Sequence, residues 1–250
     1  MLDSPGSGAY PPRSAKQMDK PYVISINAIS GGGKTTLTKL VAKSLKNSKA
    51  FHFDEFDSTN IYPENFYDWS IRGANIEEFD CPGMQEAIAE SISDNIVDYI
   101  VIDFPFGRDH SRLKRDIDLS VFIDTPLDVA MARRIIRDFI EDASDTADSR
   151  LKRLKEDLSY YISKARYPYL DTYQHKDNCD LILDGWKNQE EICEEILKKL
   201  RQNQTEQGNP ITILKNLKIN RTRNPTGGLP VLHVIEENVP FHTYSHRTGH

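Results

Sequence analysis

Ala28 to Thr35 reads A-I-S-G-G-G-K-T, the pattern G-x-x-x-x-G-K-[ST] with alanine in the first glycine's place. A glycine-rich turn between a strand and a helix leaves successive backbone N–H groups converging on one point, and the helix dipole adds to their field. Such a loop is suited to hold phosphates. Ser30, Gly31, Gly32, Gly33, Lys34, Thr35 and Thr36 are the candidate contacts to a nucleoside triphosphate. Lys34 would reach the outer phosphates and the Thr35 hydroxyl would take a Mg2+ position. Alanine at 28 accepts a helical or extended backbone but resists a left-handed one.

Acids and arginines follow at telling places. The run FHFDEFD puts Asp54 twenty residues after Lys34. In a parallel sheet, ligand-facing groups lie beyond the carboxyl ends of the strands, so Asp54 could orient an acceptor hydroxyl and take its proton. Glu55 is an alternative base or an indirect Mg2+ ligand, and the bland reading is an acidic surface turn of Asp54, Glu55 and Asp57. Tyr99 to Asp103 is an apolar run closed by an acid that, with Thr35, could serve the Mg2+ shell. Arg133 and Arg137 fall at i, i+4 on one predicted helix, and Arg134 and Arg137 at i, i+3, giving one cationic face. Guanidinium groups there would neutralise charge on a transferring phosphoryl group; a solvated face paired with Asp128 or Asp138 is the alternative.

Five short apolar runs could position these groups: 22–26, 50–53, 100–104, 119–123 and 180–183. Helical patterns long enough to be crossovers separate them, the signature of a parallel α/β sheet covered on both faces. Leu37, Leu40, Val41 and Leu45 continue a helix from the loop. A helix is expected within 85–99, carried by Ile88, Ile92, Ile96 and Tyr99. Another runs through 127–140, with Thr125 as N-cap and Pro126 at its first position. Further helices are expected over 150–165 and 188–200, with 141–149 as a mobile connection.

The stretch ISGGGKTTLTKLVAKSL resembles the phosphate loop and first helix of the uridine kinase and nicotinamide riboside kinase group, related to phosphoribulokinase and pantothenate kinase. HFDEFD resembles their D-D-F or D-D-Y segment, and RRIIRD followed by EDASDTADS resembles their lid. The resemblance covers about residues 20–201. It implies a P-loop nucleoside-triphosphate hydrolase-type fold, a five-stranded parallel sheet in order 2-3-1-4-5 and a helical lid around 133–149. It makes Asp54 the base, Lys34, Arg133 and Arg137 catalytic cations, and Arg134 a nucleotide contact. Asp68, in FYDW, matches the carboxylate that holds sugar hydroxyls, with Asp80 as rival, while Trp69 and Phe66 could stack on a base or simply fill a core. Asp103 stands where these kinases carry the glutamate of an E-G pair. FPFGRD departs from their pattern, so Arg108 could meet a charged acceptor or phosphate, and Arg166 is a further substrate-side cation. CDLILDG resembles their last strand and turn near the nucleotide base.

The expected activity is ATP-Mg2+-dependent phosphoryl transfer to the hydroxyl of a small molecule, a nucleoside or ribosyl compound. Pantothenate, a sugar phosphate or another vitamin alcohol are alternative acceptors, GTP an alternative donor, and a nucleotide-binding regulatory switch the alternative class. No N-K-x-D base-reading motif of a GTPase is present. The 250 residues carry a net charge of −6, which argues against a nucleic-acid polymer as partner. No long apolar run suggests a membrane span. Three cysteines without metal-like spacing suit a reducing, cytoplasmic setting. Residues 1–20 are expected to be a disordered leader and 202–250 an appendage holding four of the seven histidines. A homo-oligomer is left open.

Overall fold

β1 (Tyr22–Asn27) is buried along its whole length, as a central parallel strand must be, with Tyr22, Ile24 and Ile26 on one face and Val23, Ser25 and Asn27 on the other, where Ser25 donates to Asn27 Oδ1. In the computed structural model, which describes residues 20–141 and 145–206, it pairs on one side with β3 (Tyr99–Asp103) and on the other with β4 (Leu119–Asp124). β2 (Ser48–His52) adds beyond β3 and β5 (Leu181–Asp184) beyond β4. The sheet is wholly parallel in the order β2-β3-β1-β4-β5, the order that the resemblance implied. Residues 1–19, 142–144 and 207–250, on which the expected leader, the tip of the expected lid and most of the expected appendage 202–250 fall, lie outside the described residues, while 202–206 belong to a helix. All described residues belong to the unit Met1–Leu217.

Side chains alternate across the sheet with period two. Tyr22, Ile24, Ile26, Tyr99 and Val101 face one core, closed by Leu37 and Val41 of α1 (Lys34–Ser44) and by Ile192, Ile196 and Leu200 of α7 (Gln189–Glu206). Val23, Ile100, Ile102 and Phe104 face the other, closed by Met84 and Ile88 of α3 (Pro82–Asp94). α2 (Phe66–Ile71), α4 (Leu127–Ile135), α5 (Ala147–Tyr160) and α6 (Arg166–Gln174) complete the helices.

Several boundaries differ from expectation, among them the start of α5, which at Ala147 takes the last residues of the expected mobile connection 141–149. α7 runs past Leu200 to Glu206, because Gln204 is buried and accepts from the Tyr99 hydroxyl at 3.2 Å while Asn203 donates to the Tyr22 hydroxyl. α3 begins earlier, with Pro82 in its first turn, and stops at Asn95 in a left-handed conformation (φ 48°), leaving Ile96 exposed. α6 lies where RYPYLDTY gave no helical signal; its proline falls in the first turn, where the missing N–H is tolerated. Thr125 does not cap α4, which begins one residue later from Pro126 without a side-chain cap.

After β3 the chain runs back along the sheet toward the amino ends of the strands. Gly107 adopts φ 52° with Asn27 and Ser120 so close that a Cβ would lie 2.8 Å from Asn27 Nδ2. Arg108 then donates to Ile117 O (3.1 Å), Asp118 O (2.6 Å) and Asp180 Oδ1 (2.6 Å). Asp118 and Asp180 immediately precede β4 and β5, so the guanidinium fastens the entry edge of the sheet. Replacing Arg108 by methionine is expected to cost about 1.5–3 kcal/mol, the worth of hydrogen bonds to a charged group. Denaturant unfolding reads this, and an unchanged midpoint would refute the stitching role.

Candidate active site

The phosphate loop joins the carboxyl end of β1 to α1. Gly31 and Gly33 are left-handed, at φ 78° and 96°. A Cβ on Gly31 would stand 2.2 Å from the carbonyl oxygen of Ala130 in α4, so this position excludes any side chain. Ala28 is wholly buried and has no left-handed backbone, so alanine in the first glycine's place introduces no strain. Its methyl fills the space that a Cβ on Gly32 would enter, 2.7 Å away. The Thr125 hydroxyl, misread as a cap, donates to Gly32 O at 3.0 Å and fixes the loop from outside. Lys34 Nζ curls over the loop to Ala28 O (3.0 Å) and Ile29 O (3.3 Å). Ser30 and Thr36 are exposed, Ser30 bonding the Tyr169 hydroxyl of α6. The first turn of α1 carries no acidic residue, which leaves the positive end of its dipole for an anion.

At the foot of the loop, Thr35 Oγ1 donates to Asp103 Oδ2 at 2.6 Å. Asp103 is buried at the end of β3, where burial alone would raise its carboxyl. His52, Lys34 and Thr35 outweigh that and hold it below the usual range, so it is ionised. Hydroxyl and carboxylate oxygens are the hard donors that suit Mg2+.

Asp54 lies in the turn Phe53–Phe56 that leaves β2. One side of it is open to solvent, but the protein around it excludes enough water for burial to raise its carboxyl. The Asp103 charge adds to the rise, while Lys34 and Arg137 pull in the other direction. Asp54, Asp103, Lys34 and Arg137 therefore share one electrostatic neighbourhood, assembled from four different elements.

The three arginines take separate partners, although Arg134 and Arg137 both lie in the fields of Asp138 and Tyr169. Beyond Ile135 the helix widens into a π turn, Ile136–Ile140, with Glu141 N bonding Ile136 O. That turn breaks the i, i+4 relation of an ideal helix. Arg137 lies in the field of Asp54 and is paired with Asp138, its Nε 2.5 Å from Oδ1. Arg134 is held by both oxygens of Asp157 in α5. Arg133 donates to Gly185 O, 3.3 Å away in the turn after β5.

On the acceptor side the expectations divide. Asp68 is exposed in the first turn of α2, whose start is capped by Asn65. Arg166 is exposed at the start of α6, three residues before Tyr169 and so on the same face. Phe66 stacks on Phe79 with ring centroids 5.7 Å apart. Trp69, for which a base platform and a core role were both open, is 1% exposed, donates Nε1–H to Asn75 O at 2.8 Å and packs edge-on to Phe79. It is a core residue, with no ring face left for a ligand. Arg108, expected to meet an acceptor, is held at the opposite edge of the sheet. Asp80 is tied to the start of α3 through Cys81 N and Gln85, and to Arg112. His52, Tyr169, Asp157 and the loop-fastening role of Thr125 escaped sequence reasoning; only the pairing of β2 with β3 reveals His52 beside Asp103.

The two carboxylates should affect stability with opposite signs. Asp103, with a depressed value, stabilises the fold above about pH 4, where the unfolded carboxyl is already ionised, and loses that contribution as pH falls through its folded value. Asp54, with a raised value, burdens the fold above its folded value and not below about pH 4. At pH 7, Asp103→Asn should lower the unfolding midpoint and Asp54→Asn should raise it. A midpoint lowered equally by both would show that their environments do not differ in this way.

The chain is similar to uridine-cytidine kinase B of Dictyostelium discoideum, 24% identical over 189 residues that cover 65% of this chain and 74% of that protein. It is also similar to the uridine kinase of Brevibacillus brevis, 26% identical over 156 residues covering 53% and 72%. Among solved structures, shikimate kinase of Aquifex aeolicus superposes with a TM-score of 0.41 at 18% identity, covering 73% of this chain and 98% of that one. No protein-family model matches the chain. No helix among the described residues is long and apolar enough to cross a membrane. By its loop, its sheet order and its kinase relatives, the chain is a P-loop small-molecule kinase resembling the uridine kinases.

Proposed function

We propose that the protein transfers the terminal phosphoryl group of ATP, with Mg2+, to a hydroxyl of a nucleoside or related ribosyl compound. The observation that carries this reading is the placement of Asp54 in the field of Lys34, Asp103 and Arg137. The uridine kinase relatives support the acceptor class. The loop N–H groups and Lys34 bind and orient the phosphates. Thr35 and Asp103 would hold Mg2+, which when bound neutralises phosphate charge and fixes the phosphate geometry. Asp54 orients the acceptor hydroxyl and takes its proton, and its raised carboxyl makes it a better acceptor of that proton than an ordinary aspartate. Arg137 offsets charge on the transferring group. Asp68 and Arg166 are the remaining candidates for acceptor contacts, Arg133 for a nucleotide contact near Gly185. Arg134, clamped to Asp157, positions the lid helices unless closure releases it.

The test is transfer from ATP-Mg2+ to a panel of nucleosides, nicotinamide riboside, pantothenate and sugar phosphates, beside the Asp54→Asn protein. One riboside should be phosphorylated, with kcat reduced about 10²- to 10⁴-fold in the variant. The acid limb of kcat/KM should fall at a pH above the ordinary aspartate value, since the Asp54 carboxyl is raised. Transfer only to pantothenate or a sugar phosphate would move the assignment to that acceptor. ATP binding without transfer to any acceptor would favour a nucleotide-dependent switch.

A further inference from the structure

His52 closes β2 in register with Asp103 at the end of β3. Its neighbours in sequence, Phe51 and Phe53, are core residues, and the histidine itself is only 7% exposed. Nδ1 is buried, stands 3.6 Å from Asp103 Oδ2 and has no hydrogen-bond partner. Phe51 and Phe53 face the core on the other side of the sheet, so the buried ring of His52 lies on the same side as Asp103, with its Nδ1 toward that carboxylate. The same Oδ2 already accepts the Thr35 hydroxyl. Two side chains, one from the neighbouring strand and one from α1, thus converge on a single oxygen of a single carboxylate.

We infer that His52 is a positioning residue for Asp103: together with Thr35 it fixes the rotation of that carboxylate and presents it to the Mg2+ of a bound nucleotide. The inference rests on the kinase reading above, in that Asp103 must serve the metal. His52 itself touches neither metal nor phosphate. A small rotation of the ring brings Nδ1–H to hydrogen-bonding distance of Oδ2, and the bond then restrains the carboxylate at little further entropic cost because the ring is already packed. Groups that hydrogen-bond a metal-ligating carboxylate characteristically govern metal affinity by about 10- to 100-fold.

The experiment compares the wild-type protein with His52→Gln, which keeps an N–H donor, and His52→Met, which fills the space without one. Mn2+ affinity is measured by electron paramagnetic resonance in the presence of a non-hydrolysable ATP analogue, and affinity for the analogue is measured separately in EDTA. His52→Met should weaken Mn2+ by about 10- to 100-fold with metal-free nucleotide affinity unchanged, and His52→Gln should stay near wild type. Wild-type Mn2+ affinity in a folded His52→Met protein, or equal losses in both variants, overturns the inference alone. A wild-type protein that binds no Mn2+ with the analogue overturns the kinase reading and this inference with it. Should His52→Met fail to fold, the ring nitrogen resonances of His52 in the ¹⁵N-labelled wild-type protein decide: they should shift on addition of Mg2+ and analogue, and unmoved resonances overturn the inference.

Discussion

The hydrogen bond from Thr35 to Asp103 joins the first turn of α1 to the last residue of β3. Everything else in the candidate site is built around that link. It holds the helix dipole, the loop and a buried carboxylate in one fixed arrangement, and it depends on two separate folding events. The loop must turn through left-handed glycines for Thr35 to face the sheet, and the strands must pair in a register that brings Ile26, Asp103 and His52 level. A slip of one residue in β3 would send Asp103 to the other face of the sheet, because side chains alternate along a strand. The continuous burial of β1 and β3 fixes that register, so the polar site inherits its geometry from the apolar core.

The electrostatic design separates two aspartates that are close neighbours. Both are desolvated, which by itself would raise each carboxyl. Asp103 receives a hydroxyl hydrogen bond and the nearby Lys34 and His52, and ends low; Asp54 receives the repulsion of Asp103 and ends high. Pairs of carboxyls driven apart in this way divide labour between a permanently ionised group and one able to exchange a proton. The division follows from placement: Asp103 terminates a central strand, while Asp54 sits one turn beyond the end of β2.

What was legible in the sequence was what depends on short-range pattern. Apolar runs of four or five residues located each strand, and glycine spacing with the following lysine and threonine located the phosphate loop. Asp54 and Asp103 could be singled out because each closes such a run. What stayed hidden depends on partners distant in the chain. Arg108 looked available until Asp180, seventy-two residues away, claimed it. Trp69 looked like a platform until Phe79 and Asn75 enclosed it. The arginines looked alike on one helix, and only their partners Gly185, Asp157 and Asp138 tell them apart. Tyr169 gave no signal because its partner, Ser30, lies on the far side of the chain's connectivity.

The contact between Gly31 and α4 has an evolutionary consequence. What excludes a side chain at 31 is the main-chain oxygen of residue 130, an atom that every amino acid carries. No replacement at 130 can therefore make room, and no second-site substitution there can rescue a lost glycine. Exposed side chains of α4 such as Asp128 and Ala132 can change, whereas the path of its backbone across the loop cannot. Descendants of this chain should therefore diverge in the exposed surface of α4 long before they diverge in how that helix crosses the loop.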